Sequence, residues 1–221
     1  MMIRLGTYPT VLGTLDEGDR RLWIKRDDQV ASLYGGNKVR KLEHLLGDAV
    51  GEGKTKIITI GAAGSHQVVA TALYGRQEGF TVEAVLVPQV ASEHARQNLR
   101  AAIAVGLTPT VASSWSAAPA KLALHLARAP RETYLVPLGG SNALGSLGFV
   151  DAAREIAAQV RAGELPEPDA VVVAMGSGGT AAGLAVGFEA LEMKTRVIGV
   201  VVSPPVSMVG AMAHHLAKTT A

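Results

Sequence analysis

Cysteine is absent from the 221 residues, which excludes disulfide bridges, thiolate zinc sites and a cysteine nucleophile. Charge is sparse: 18% of residues are Asp, Glu, Lys or Arg and 48% are hydrophobic, against about a quarter charged in an ordinary soluble chain. That balance suits a chain with a well-buried core rather than a disordered one. The net charge is +2 and the basic residues are scattered, so no concentrated basic face marks a nucleic-acid partner. Histidines at 44, 66, 94, 125, 214 and 215 show no metal-ligand spacing, and no metal is expected. The opening Met-Met-Ile-Arg-Leu-Gly-Thr-Tyr-Pro lacks the apolar stretch and cleavage site of a signal peptide, so a cytoplasmic location is expected. Residues 170–188 carry no charge and raise the question of a membrane span. Gly176, Gly178, Gly179, Gly183 and Gly187, with Ser177 and Thr180, interrupt that run, and no membrane partner is expected.

Short β-branched runs at 22–25, 56–60, 81–87, 133–136, 170–174 and 196–202 predict strands. Amphipathic stretches at 37–50, 65–78, 92–105, 117–129, 145–162 and 179–192 predict helices between them. The alternation argues for an α/β fold with parallel sheets covered by helices on both faces. Gly51, Gly53, Pro88, Pro130 and the stretch 165–168 punctuate the elements, but no long linker or internal repeat marks a boundary. Trp23 and Trp115 read as packing residues.

Residues 33–43 read Leu-Tyr-Gly-Gly-Asn-Lys-Val-Arg-Lys-Leu-Glu and place one lysine at the mouth of a helix behind two glycines. Val39, Leu42, Leu45, Leu46 and Ala49 form an apolar stripe, which sets Lys38 at or near the first turn. There the positive helix end and the neighbours Arg40 and Lys41 disfavour the protonated amine, so a neutral nucleophile becomes accessible to an aldehyde. A solvated basic helix start is the plain alternative.

Two further segments lead from a strand into a helix. Gly176, Ser177, Gly178, Gly179 and Thr180 follow an apolar run, and their amides and hydroxyls suit a phosphate at the start of the next helix. Gly176-x-Gly178-x-x-Ala181 also mimics a dinucleotide fingerprint, but it comes late, and the next strand ends in Ser203-Pro204-Pro205 without a carboxylate. A compact phosphate-bearing cofactor is therefore the better fit. Ser65, His66 and Gln67 follow the run 57–64, where helix amides and the Ser65 hydroxyl could hold a substrate carboxylate. Simple capping by Ser65 is the alternative. Ser141 and Asn142, after Gly139 and Gly140, are explained by a turn and cap, and no catalytic role is assigned to them.

Gly35-Gly36-Asn37-Lys38-x-Arg40-Lys41-Leu42-Glu43, with the segments at 61–66, 139–150 and 176–183 in the same order, resembles the D-cysteine desulfhydrase / 1-aminocyclopropane-1-carboxylate deaminase family. The resemblance implies pyridoxal 5'-phosphate as cofactor and a tryptophan synthase beta-like fold of two parallel-sheet α/β domains. Residues 48–145 would form the smaller domain; 1–47 and 146–221 would belong to the larger, cofactor-binding one. Lys38 would hold the cofactor as a Schiff base, Lys41 would lie near its phosphate, and Gly176, Ser177, Gly178, Gly179 and Thr180 would bind that phosphate. Lys38 and Ser65 would be catalytic, with Ser65, His66 and Gln67 facing the substrate and His66 also facing the cofactor ring. The family's Ser-Asn-His reads Ser-His-Gln here, so His66 stands in the asparagine's place. A small amino acid is the implied substrate and a homodimer the implied assembly.

The implied reaction is β-elimination on D-cysteine, with opening of a cyclopropane amino acid as the alternative. Family members continue past the position of Ala221 with a Tyr-containing segment and a partner for the pyridine nitrogen. The chain is therefore expected to be a truncated member with an incomplete larger domain, and a non-catalytic remnant is a rival reading. A nicotinamide-dependent oxidoreductase, resting on Gly176-x-Gly178 alone, is the third.

Overall fold

The computed structural model describes residues 1–17, 20–202 and 206–221. The chain divides into two compact units, residues 1–3 with 42–140 and residues 4–41 with 141–221. The sequence-based boundaries after 47 and 145 fall a few residues further along the chain. The expected α/β class is what the structure shows.

In the first unit β3 (Lys56–Ala62), β4 (Thr81–Val87), β5 (Thr108–Val111) and β6 (Thr133–Val136) form a parallel sheet in the order β5-β4-β3-β6. Parallel neighbours require long crossovers, and α2 (His66–Gln77), α3 (Glu93–Ala104) and α4 (Ala118–Arg128) lie along them. Central strand β3 is covered on both faces, so Ile57 and Ile58 are both fully buried. Ile58 packs with Val85, Val87, Ala112 and Ala118. Helix α1 (Lys38–Gly51) places Leu42, Leu45, Leu46 and Ala49 in the core, the stripe that the sequence predicts.

The second unit holds the antiparallel pair β1 (Leu12–Glu17) and β2 (Arg20–Lys25), and the parallel pair β7 (Ala170–Met175) and β8 (Arg196–Val201). Three helices complete it: α5 (Ala143–Arg161), α6 (Gly179–Ala190) and α7 (Val206–Thr220). Phe149, Ala152, Ala153 and Ile156 of α5 meet Leu184 and Phe188 of α6, with Val171, Val173 and Val197 packed against them. A first side-chain carbon at Gly183 would lie 2.2 Å from the Ser146 carbonyl oxygen, and one at Gly187 would lie 2.5 Å from Ala153 Cβ. These glycines interrupt the uncharged run because α5 presses on α6 there. Alternation turns Val172, Ile198, Val200 and Val202 to the opposite face of the β7–β8 pair, where they are exposed. No helix among the described residues is long and apolar enough to cross a membrane.

β1, β5 and α7 are not among the elements that the sequence pattern predicts. β1, Leu-Gly-Thr-Leu-Asp-Glu, has no β-branched run, and β5 contains Pro109, which an edge strand tolerates because one side of its backbone needs no donor.

A buried ion network fixes the start of α1. Arg40, only 2% exposed, pairs with Asp27 at 2.7 Å and with Glu155 of α5 at 3.0 Å. Lys25 also pairs with Glu155, and the Thr10 hydroxyl donates to Asp27 at 3.1 Å. Burial alone would raise the Glu155 pKa, but hydrogen bonds from Arg40 and Lys25 outweigh it and hold the carboxyl below its usual range. Removing one partner strands buried charge, so Glu155→Ala should cost about 3–5 kcal/mol, read from the denaturant midpoint. A depressed carboxylate binds fewer protons folded than unfolded. Its contribution is therefore complete above the unfolded pKa of about 4.3 and lost as pH falls through the lower folded value.

Candidate cofactor site

Lys38 is the first residue of α1, as the apolar stripe requires. The glycines before it answer to geometry: a side chain at Gly35 would overlap the Asp28 carbonyl oxygen at 1.8 Å, and Gly36 has φ +108°. Gly36 N–H donates to Asp27 O at 2.7 Å, which ties this turn to the partner of Arg40. The Lys38 amine is half-buried, and burial lowers its pKa. The direction matches the sequence expectation, but the cause is burial alone. Arg40, expected to repel Lys38, points its charge into Asp27 and Glu155 instead.

One turn later Lys41 is buried at 1% exposure. Its Nζ donates to Ser141 Oγ at 2.9 Å, and Ser141 Oγ lies 2.8 Å from Ser177 Oγ, so one hydrogen-bonded row joins α1 to the loop before α6. Nζ also stands 5.9 Å from the centre of the Phe149 ring, over its face. Burial, and then the charge of Lys38, push the Lys41 pKa well below its ordinary value.

The row ends at the mouth of α6. Gly178 is the N-cap in the left-handed conformation, φ 83°, and no side chain caps the helix. A first side-chain carbon at Gly179 would sit 2.6 Å from Ser141 Oγ and 2.9 Å from Lys41 Nζ, so this wall must be backbone. Gly176 is different: a side chain there would meet only Val202 Cγ2 at 4.0 Å, so the protein itself leaves the space beside it open. Thr180 is buried in the first turn of α6. Backbone amides without a side-chain cap, two hydroxyls and an amine converge, and this donor set fits a phosphate group. An entering dianion would also restore the charge on Lys41 that burial opposes.

Ser141 is the residue that sequence reasoning missed. Its neighbour does cap a helix, since Asn142 Oδ1 accepts from Gly145 N–H at 2.8 Å. Ser141 itself turns toward Lys41 and Ser177. Only its position after Gly139-Gly140 hinted at this.

Ser65, His66 and Gln67 lie in the other unit, at the start of α2. Ser65 occupies the N-cap with extended backbone (ψ 127°), yet its hydroxyl makes no capping hydrogen bond. The capping alternative thus leaves that hydroxyl unexplained. His66 is exposed, with Nε2 2.9 Å from Nε2 of His94. Gln67 is buried at 2% exposure; its Nε2 donates to Thr71 Oγ1 at 2.8 Å inside its own helix, while its Oε1 is buried and accepts no hydrogen bond among the described residues. Residues Ser203, Pro204 and Pro205, used above against a dinucleotide, lie outside the described residues.

The family model described as pyridoxal-phosphate dependent enzyme matches residues 3–221. The chain belongs to that family. A D-cysteine desulfhydrase of Klebsiella pneumoniae is 39% identical over 199 residues, covering 87% of this chain and 60% of the relative. A Pyrococcus furiosus protein, provisionally named a 1-aminocyclopropane-1-carboxylate deaminase, is 38% identical over 205 residues, covering 90% of this chain and 61% of the relative. The crystal structure of a 1-aminocyclopropane-1-carboxylate deaminase homologue superposes with a TM-score of 0.87 at 33% identity, covering 99% of this chain and 68% of that one. This family of pyridoxal-phosphate dependent enzymes thus supplies the fold, which is tryptophan synthase beta-like. The chain spans about 60% of the length of the curated relatives it matches.

Proposed function

We propose that this chain is a pyridoxal-phosphate dependent lyase acting on a small amino acid, and that its reaction is β-elimination of the D-cysteine desulfhydrase type. The observation that carries the reading is the row Lys41–Ser141–Ser177 ending at the uncapped start of α6, with the Lys38 amine held under a lowered pKa in the same unit. When bound, pyridoxal phosphate supplies an aldehyde for amines and a conjugated ring that holds the electron pair released at Cα.

Each residue then has a task. Lys41, Ser141, Ser177 and the amides of α6 grip the phosphate, with the backbone of Gly176, Gly178 and Gly179 giving it room and Thr180 adding its hydroxyl. Lys38 would hold the aldehyde, and its amine, kept partly neutral by burial, would serve as the base for the proton at Cα. Burial keeps a larger share of that amine neutral near pH 7 than an exposed lysine would have. Ser65 and the amides of α2 hold the substrate carboxylate, and His66 presents a ring nitrogen where the resembling family has an asparagine. The net reaction consumes D-cysteine and water and yields pyruvate, ammonia and hydrogen sulfide. Residues 48–145 as the smaller domain, residues 1–47 and 146–221 as part of the larger one, a homodimer and a cytoplasmic setting belong to the same proposal.

The test is to supply pyridoxal phosphate and D-cysteine to the purified chain and measure pyruvate and sulfide together. Ring opening of 1-aminocyclopropane-1-carboxylate, with no sulfide from D-cysteine, would replace the elimination by the activity named for the Pyrococcus relative. Cofactor binding without turnover of either amino acid would overturn the enzymatic reading. A second expectation isolates Ser65. Ser65→Ala should lower kcat/KM for D-cysteine about 10–100-fold, the worth of a hydrogen bond to a charged group. Because the hydroxyl makes no capping bond, the unfolding midpoint should barely move.

A further inference from the structure

We propose that His66 and His94 form a two-imidazole binding site for a divalent transition-metal ion of the Ni²⁺ or Cu²⁺ class. The six histidines are dispersed in the sequence, but the topology brings the start of α2 against the start of α3. There the Nε2 atoms of His66 and His94 are 2.9 Å apart, with ring centroids 4.8 Å apart and planes inclined by 42°. Both rings are exposed, so an ion reaches them directly from solvent.

The two rings are near enough to converge on one ion. Two imidazole nitrogens bound about 2.05 Å from one ion are about 2.9 Å apart when they subtend about 90°, and about 3.3 Å apart at the tetrahedral angle of zinc. The observed 2.9 Å is the spacing of a hydrogen bond between the rings, and the choice of Ni²⁺ or Cu²⁺ rests on their strong affinity for imidazole nitrogen among divalent ions. At 2.9 Å one Nε2–H donates to the other ring's lone pair. Binding needs that one ring to move its proton to Nδ1, and a small rotation then turns both lone pairs onto a common ion.

The backbone beneath the pair is already fixed. Asn98 of α3 is buried and donates to Gly64 O at 2.9 Å, and the same Nδ2 lies 3.4 Å from His94 Nε2. Gly64 N–H in turn donates to Gln89 Oε1 at 3.1 Å, and Ser92 caps α3 by accepting from Ala95 N–H at 3.1 Å. Little ordering is left to be done on binding, which favours affinity. Among the described residues no cluster of three or more His, Cys, Asp or Glu side chains surrounds a common point, so the other coordination positions fall to water or to an anion. The positive end of α2 opposes the cation and lowers its affinity. If Ser65 faces substrate as proposed above, an occupied site next to it also makes turnover sensitive to the metal.

The test measures binding, so its result does not depend on that enzymatic reading. Ni²⁺ is titrated into the cofactor-loaded protein by calorimetry, and Cu²⁺ is followed by electron paramagnetic resonance for coupling to imidazole nitrogens. One saturable site is expected, weakened at least about tenfold in His94→Ala, a change of about 1.4 kcal/mol. Circular dichroism verifies that this variant is folded. His214 and His215 are neighbours on α7 and do not face each other, so their double alanine variant should bind like the parent. Absence of a saturable site overturns the proposal, as does binding that survives His94→Ala or is lost only with His214 and His215.

Discussion

Lys38→Ala should abolish the near-visible absorption that the protein gains with pyridoxal phosphate and should cut D-cysteine turnover by about 10³-fold or more. Both effects arise from one amine. Lys38 opens α1 behind a turn that only glycine can build, and burial holds its pKa down. Alanine preserves the helix, being its best former, and removes an amine that folding had desolvated. The variant should therefore be at least as stable as the parent, which separates lost chemistry from lost structure. Borohydride treatment of the loaded parent followed by peptide mapping should find the cofactor on residue 38. Lys41 is the serious competitor, because it is buried and its pKa is also depressed. A label on Lys41, or full turnover by Lys38→Ala, would sink the assignment.

Lys41→Met should act in two opposite directions. Without cofactor the protein is expected to gain stability, since the buried amine is exchanged for an apolar chain of similar length. With cofactor, affinity should fall about 10–100-fold, because a charge-assisted hydrogen bond to phosphate is worth about 1.5–3 kcal/mol. Thermal unfolding with and without pyridoxal phosphate reads both. The sign of the pH dependence follows from proton counting. Between the lowered folded pKa and the unfolded value of about 10.4 the unfolded chain binds more protons, so stability of the cofactor-free parent rises with pH across that window. Lys38, also depressed, contributes in the same sense. In Lys41→Met the rise should be shallower. An unchanged slope, together with unchanged cofactor affinity, would remove Lys41 from the site.

Most of the parallel sheets and their helices could be read from periodicity because burial dictates it: strands covered on both faces become unbroken apolar runs such as Ile57-Ile58, and α1 shows its stripe. What escaped has local reasons. β5 carries a proline, β1 carries glycine and acid, and α7 follows two prolines and includes Gly210, so none has a strong pattern of its own. The lysine segment and the late glycine turn were legible because geometry restricts both to glycine at particular positions. Ser141 was not, because it lies 100 residues from Lys41 in sequence and only the packing of α5 with α6 carries it to the row. The pairing of His66 with His94 likewise exists only once α2 and α3 are side by side.

The open side of the β7–β8 ribbon has a practical consequence. Val172 stands directly opposite Ile198 in register, with Val200 and Val202 following, all turned away from the packed helices. Water gains nothing from that ridge, and any greasy surface that touches it is welcome there. Self-association through this face should grow with protein concentration, which light scattering over a dilution series would read.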